Sequence, residues 1–241
     1  MRYTSIMRID EMTTEEFRKA IMSDPIIIIP LGATEAHGIH LPLGTDTYQP
    51  EYIAMEVARR IDNVLVAPTM PYGQHSSTKN MAGTISLTFD TLRSFIKDVL
   101  SSLIANGANK IVIISGHAGT SHICAVTEGC REITAEKDVQ IMFFSDYFIA
   151  EEHEKCKLLK NDGHAGMLET SRMMDIRPDL VNDMRPIGSY KEHGFLVLRD
   201  GSQCFPNGMA GDTTDSSAEF GNEINKFIID SIIRMIGSDF K

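Results

Sequence analysis

Three short stretches of this chain concentrate side chains that can bind a metal ion or move a proton. The first reads Gly32-Ala-Thr-Glu35-Ala-His37-Gly-Ile-His40-Leu-Pro-Leu-Gly-Thr-Asp46. The second is Ser115-Gly-His117-Ala-Gly119, and the third is Asp162-Gly-His164-Ala-Gly-Met-Leu-Glu169-Thr-Ser171. They hold His37, His40, His117 and His164, four of the eight histidines, together with the carboxylates Glu35, Asp46 and Glu169. Imidazole and carboxylate donors without a thiolate suit Zn²⁺, Mn²⁺ or Fe²⁺ rather than a structural tetracysteine site. Glu35 and His37 stand two apart, so in an extended segment they project from the same side. A divalent cation held by such donors lowers the pKa of a bound water toward neutrality, which makes hydroxide available at pH 7. Such a cation can also polarise a carbonyl, and an imidazole has the ordinary pKa for returning a proton to a departing atom. A histidine after a strand also serves as a hydrogen-bonded turn residue, and spacing alone leaves both roles open.

The elements that must position these stretches alternate in type. Ile26-Ile-Ile-Ile-Pro-Leu-Gly32 reads as a buried strand, and Ile53, Val57 and Ile61 set a helical beat from about Tyr48 to Ile61. Val64–Ala67 is a second strand. Asp90–Asn106 is the clearest helix, with Gly107 placed for a left-handed cap. Lys110–Ser115 is nearly all apolar, as a parallel strand buried on both faces should be. A helix over Ser121–Glu136, a strand over Val139–Phe144 and a long amphipathic helix over Ser216–Ile236 follow. Strands alternating with helices predict an α/β layered fold with a mostly parallel sheet, in which ligands sit beyond the carboxyl ends of the strands. No repeat, linker or low-complexity tract interrupts the chain, so residues 1–241 read as one domain.

Composition narrows the partners. A net charge of −10 is the wrong sign for a phosphate backbone or an anionic membrane surface. Cys124, Cys130, Cys156 and Cys204 form no Cys-x-x-Cys pair and no zinc-finger spacing. No signal-peptide pattern marks Met1–Met22 and no apolar run approaches 18 residues, so the expectation is a cytoplasmic protein with reduced thiols.

The first stretch closely resembles the first signature of the creatininase (creatinine amidohydrolase) family. Ser115-Gly-His117-Ala-Gly119 resembles that family's Gly-His-Gly-Gly segment, and His164-Ala-Gly-Met-Leu-Glu169-Thr-Ser171 its His-Ala-Gly-x-x-Glu-Thr-Ser signature. Gly83-Thr-Ile-Ser-Leu87 and Asn207-Gly-Met-Ala-Gly-Asp212 match weaker segments, so the resemblance runs from Pro25 to Asp212 in the family's order. It implies a three-layer α/β/α domain, a centre of two divalent ions (Zn, Mn or Fe) and a ring-like homohexamer. Carried over by position, Glu35 and His117 hold one metal, His37 holds the other and Asp46 bridges them. His164 matches the family's catalytic histidine and is the expected proton shuttle, its alternative role being to orient a ligand. Creatininase has a further glutamate two residues after the histidine matched by His117. This chain has Gly119 there, and Glu169 is the expected replacement on the second metal, the alternative being a carboxylate that only orients His164. His40 is expected to hydrogen-bond Asp46 or the loop backbone, while His75, His122, His153 and His193 default to surface or packing roles.

Two departures bear on the substrate. Many family members read Tyr-Gly-x-Ser-x-Glu-His, whereas this chain has Ser77 and Thr78 in the last two positions, and Ala82 where a proline precedes the Gly-Thr-Ile-Ser segment. Creatininase walls its substrate with tryptophans, and this chain has none, which argues against creatinine. The expectation is a dinuclear metal-dependent hydrolase whose hydroxide attacks the carbonyl of a small polar substrate, cleaving an amide or formamide C–N bond. The alternatives are opening of a keto-inositol-type ring at a C–C bond, and a catalytically silent metal-binding scaffold. Glu35, His37, Asp46, His117, His164 and Glu169 together favour an enzyme, since a scaffold has no need of all six.

Overall fold

The computed structural model describes residues 7–159 and 162–240; of the expected domain 1–241, the remaining positions, including the first six of Met1–Met22, lie outside the described residues. In chain order the elements are β1 (Met7–Arg8), α1 (Thr14–Ile21), β2 (Ile26–Leu31), α2 (Thr45–Arg60), β3 (Val64–Val66), β4 (Gly73–Gln74) and β5 (Ser86–Leu87). There follow α3 (Phe89–Ala105), β6 (Lys110–Ser115), α4 (Thr120–Glu136), β7 (Gln140–Ser145), α5 (Asp146–Glu151) and α6 (Glu154–Lys157). The chain closes with α7 (Met167–Ile176), β8 (Ile187–Gly188), β9 (Gly211–Asp212) and α8 (Ala218–Asp239).

The main sheet has the order β1-β3-β2-β6-β7, and every pairing in it is parallel. At its centre β2 and β6 run in register from Ile26 opposite Lys110 to Leu31 opposite Ser115. Successive side chains of a strand face opposite ways, and here both faces are apolar. Ile27, Ile29 and Leu31 pack with Leu92, Ile96 and Leu100 of α3 and with Ala125, Val126 and Ile133 of α4. Ile28, Val66, Val112 and Ile114 pack on the other side with Ile53, Ala54 and Val57 of α2 and with Ile224, Ile228 and Ile232 of α8. Helices therefore cover both faces, and the predicted α/β architecture with a parallel sheet is the one the chain forms.

Local signals set the ends of these elements. Thr13 and Glu16 form a reciprocal capping box at the start of α1, while the Thr88 and Ser217 hydroxyls accept backbone N–H groups at the starts of α3 and α8. Gly107 has φ +103° just past α3, as expected for a left-handed cap. The helix expected from about Tyr48 begins earlier, at Thr45, which places Asp46 in its first turn. Among the described residues no helix is long and apolar enough to cross a membrane.

Candidate metal centre

The carboxyl ends of β2 and β6, the first turn of α2 and the first turn of α7 converge on one point. The loop after β2 delivers Glu35 and His37, the loop after β6 delivers His117, α2 delivers Asp46 and α7 delivers Glu169. Gly116 makes the convergence possible. A Cβ there would lie 2.1 Å from the Asp46 carbonyl oxygen, so only glycine lets the β6 loop pass this close to the start of α2. That carbonyl lacks its usual helical donor, because Pro50 stands four residues on and has no N–H.

Asp46 lies between two sets of donors. One of its oxygens, Oδ1, is 3.0 Å from His37 Nε2, which is itself 3.6 Å from Glu169 Oε2. The other, Oδ2, is 3.0 Å from His117 Nδ1, which is 3.0 Å from Glu35 Oε2. Both histidines are oriented from behind: His37 Nδ1 lies 3.0 Å from the Glu35 carbonyl and His117 Nε2 lies 3.1 Å from the Gln74 carbonyl. A carbonyl only accepts, so those nitrogens carry protons and the opposite ones face the carboxylates. Glu35 is braced by the Thr78 hydroxyl, which donates to Oε1, and Glu169 Oε2 accepts the Ala165 N–H at 2.6 Å. Ala165 supplies that N–H from a left-handed backbone, φ +54°, a strained conformation for a residue with a Cβ.

The electrostatics follow from burial and pairing. Burial pushes Glu35 up, but His117 and His164 outweigh it and hold the carboxyl down to about 2. Burial works against charge on His37, yet Asp46 raises it to about 10, and Glu35 and Asp46 likewise hold His117 well above its ordinary value. Asp46 is held well below the usual carboxylate range by His37 and His117 despite its burial. Glu169 is pushed up to about 8, chiefly by burial. Buried carboxylates here call for positive charge, which imidazole protons supply in part and a divalent cation would supply fully while displacing those protons.

The donor set fits metal. Among the described residues, Glu35 Oε2, His37 Nε2 and Asp46 Oδ2 are buried without a hydrogen-bond partner in spite of their proximity, as donor atoms left for a shared ion would be. Among the described residues, three groups bring their donor atoms within 4.8 Å of one another: Glu35, His37 and His164; Glu35, His75 and His117; and His37, Asp46 and Glu169. All six residues singled out from the sequence are thus gathered in one cluster. A Cβ at Gly119 would come within 2.6 Å of His117 Nε2, so a glutamate there would require the His117 ring to shift.

The remaining histidines divide. His40 Nε2 meets the Thr170 hydroxyl at 2.9 Å rather than Asp46, and burial lowers it to about 4. His122 is packed beneath the site against Ser115 and receives the Gln74 N–H at Nδ1. His153 caps α6. His75, assigned from sequence to surface or packing, is buried in the cluster with Nε2 3.7 Å from Glu35 Oε2. No motif spacing signals it: it is carried in by the two-residue pairing of β4 with β5 and by its own N–H, which donates to Ser86 Oγ at 3.0 Å. His164 faces outward over the cluster. Its Nε2 donates to the Ala36 carbonyl at 2.8 Å, leaving Nδ1 free, and burial lowers its pKa, which favours the neutral ring.

Above the cluster opens a cavity of about 380 Å³ lined by Ser76, Ser77, Thr78, Phe148, His164 and Phe205. A second cavity, of about 740 Å³, adjoins it past His164 and Phe205.

Nitrogen and oxygen donors without sulfur, gathered beyond the carboxyl ends of a parallel sheet, define an α/β protein suited to divalent cations. The family model for creatinine amidohydrolase matches residues 10–236, and the chain belongs to this creatininase family of hydrolases. It is 31% identical over 226 residues to a mycofactocin precursor peptide peptidase of Mycobacterium ulcerans, covering 88% of this chain and 84% of the relative. It is 29% identical to a creatinine amidohydrolase of Pseudomonas putida, covering 72% and 73%, and 23% identical to a 3-dehydro-scyllo-inosose hydrolase of Thermotoga maritima, covering 93% and 81%. A crystal structure of creatininase superposes with a TM-score of 0.87 at 24% identity over 98% of this chain and 99% of that one, which establishes the shared fold. Creatininase structures of the same fold include a manganese form, a zinc–zinc form and one complexed with creatine.

Proposed function

We propose that this chain is a dinuclear metal-dependent hydrolase that cleaves an amide-type C–N bond in a small polar carbonyl substrate. The observation that carries this reading is Asp46, whose two oxygens face two separate donor sets. Glu35 and His117 would hold one divalent ion and His37 and Glu169 the other, with the Asp46 carboxylate available to both. Zn, Mn or Fe held there would supply Lewis acidity and a water activated at neutral pH. The protein's own groups do the rest. The Gln74 and Glu35 carbonyls fix the imidazole tautomers, Thr78 fixes Glu35, and the cavity admits a compact substrate between Phe148 and Phe205. His164, anchored through Nε2, accepts a proton at Nδ1 from the attacking water and hands it on to the leaving nitrogen.

The peptidase and creatinine amidohydrolase relatives support the C–N bond; the inosose hydrolase relative supports the alternative of opening a ring at C–C. The experiment is a panel of N-formyl amines, small cyclic and linear amides, short peptides and keto-inositols, assayed with zinc- and manganese-loaded protein. Release of amine or formate is the expected result, and turnover of the keto-inositol alone contradicts it. We also propose a homo-oligomer, supported by the exposed apolar run Phe195, Leu196 and Val197. Light scattering at the monomer mass would refute it.

A further inference from the structure

His75 has no part in the reading above, yet its environment is unusual. Its side chain is fully buried, and neither ring nitrogen has a hydrogen-bond partner among the described residues. Buried polar atoms are nearly always satisfied, and one left without a partner points to a ligand or ion that belongs there. His75 belongs to the buried side of the cluster: its ring centroid is 4.8 Å from that of His117, and it does not line the cavity formed by Ser76, Ser77 and Thr78. Substrate contact therefore does not account for it.

Distance decides what does. Two donors bound to one ion at about 2.0–2.2 Å each can be no more than about 4.4 Å apart. His75 Nε2 is 3.7 Å from Glu35 Oε2, which in turn is 3.0 Å from His117 Nδ1. His164 Nε2, at 3.9 Å from the other Glu35 oxygen, is already committed to the Ala36 carbonyl.

We propose that His75 is an additional protein ligand of the ion held by Glu35, Asp46 and His117, which makes the two metal positions unequal. With His75 the first position has four protein donors, the number that closes a tetrahedral site. The second has His37, Asp46 and Glu169, three donors, the number typical of a position that keeps room for water or substrate. The first ion is the tightly held one and the second the exchangeable one. This rests on the dinuclear reading above, and the test separates the two.

The test uses cobalt(II)-loaded full-length protein, comparing wild type, His75→Ser, His75→Asn and His164→Gln. Cobalt binding is measured by titration, and the hyperfine-shifted exchangeable imidazole N–H signals are counted by proton NMR. Wild type and His164→Gln are expected to bind two Co²⁺ in steps of different affinity and to show three such signals. The His75 variants are expected to lose one signal, and their tighter step should weaken at least about tenfold, since loss of an outer-shell partner already costs roughly 10–100-fold. Two cobalt ions with only two signals in His164→Gln overturn the role of His75, whether or not the His75 variants fold. Folded His75 variants with unchanged signals and affinity overturn it as well. A wild type that takes up fewer than two ions overturns the dinuclear reading instead.

Discussion

His37 and His117 are built alike: each offers one nitrogen to the carboxylates and ties the other to a backbone carbonyl, Glu35 for His37 and Gln74 for His117. His164 is tied in the same manner, but its free nitrogen is not committed to the carboxylates. His164→Gln should therefore keep both ions yet lower turnover by about 10²–10⁴-fold, the usual span for an acid–base group. Metal analysis beside the kinetics checks this, and loss of metal together with activity would make His164 a ligand. Glu169 is tested in a similar way. Its Oε2 approaches His37 at 3.6 Å and accepts the Ala165 N–H, so Glu169→Gln should halve the metal content if the carboxylate is a ligand. Two ions retained would assign it to orienting the loop of His164. Most of this cluster was legible in the sequence because the Glu-x-His and Gly-His stretches stand beside strand ends and the Glu-Thr-Ser stretch follows a Gly-His-Ala-Gly segment. His75 was not, because one histidine between Gln74 and Ser76 has no partner in sequence and reaches the site only through β4 and β5.

α7 shows why some elements escape a reading by hydrophobic period. Its buried residues include Glu169, Thr170, Ser171 and Arg172, so it lacks the apolar beat that marks a helix in sequence. Its first turn is held instead by Asp162, whose oxygens accept the Met167 and Leu168 N–H groups at 2.6 and 3.1 Å. One turn beyond Glu169, the fully buried Arg172 donates to Asp146 Oδ2 at 2.6 Å and to Asn225 Oδ1 at 2.9 Å, tying α7 to α5 and α8. Removing one member of a buried pair strands the other. Arg172→Met should cost about 3–5 kcal/mol in urea unfolding, whereas Arg172→Met with Asp146→Leu should recover most of it. A single variant within 1 kcal/mol of wild type, on the order of a surface substitution, would show the pair to be structurally idle. By contrast β2, β6, α3 and α4 lie within a residue of their predicted ranges, since apolar runs buried on both faces and a one-sided apolar stripe are strong signals.

At the scale of the molecule, two apolar layers hold the central strands rigid while their carboxyl ends carry polar loops, so the site is framed by the most buried part of the sheet. A ligand that binds only the folded chain stabilises it. A centre drawing donors from the β2 loop, α2, the β6 loop and α7 ties together segments far apart in sequence, and its ions should raise the unfolding temperature in a concentration-dependent manner. Everything proposed for the site depends on Asp46 bridging two ions. Its carboxylate offsets positive charge on both at once, and without it two cations would repel across a few ångströms of partly desolvated space. The direct measurement is metal content by elemental analysis after reconstitution with Zn²⁺, Mn²⁺ or Fe²⁺, for wild type and for alanine variants of each ligand. Wild type should hold close to two ions per chain, and Asp46→Ala should lose more metal than Glu35→Ala, His37→Ala, His117→Ala or Glu169→Ala. Wild-type protein that holds no ion under these conditions, or an Asp46→Ala variant that keeps two, would contradict the bridging role.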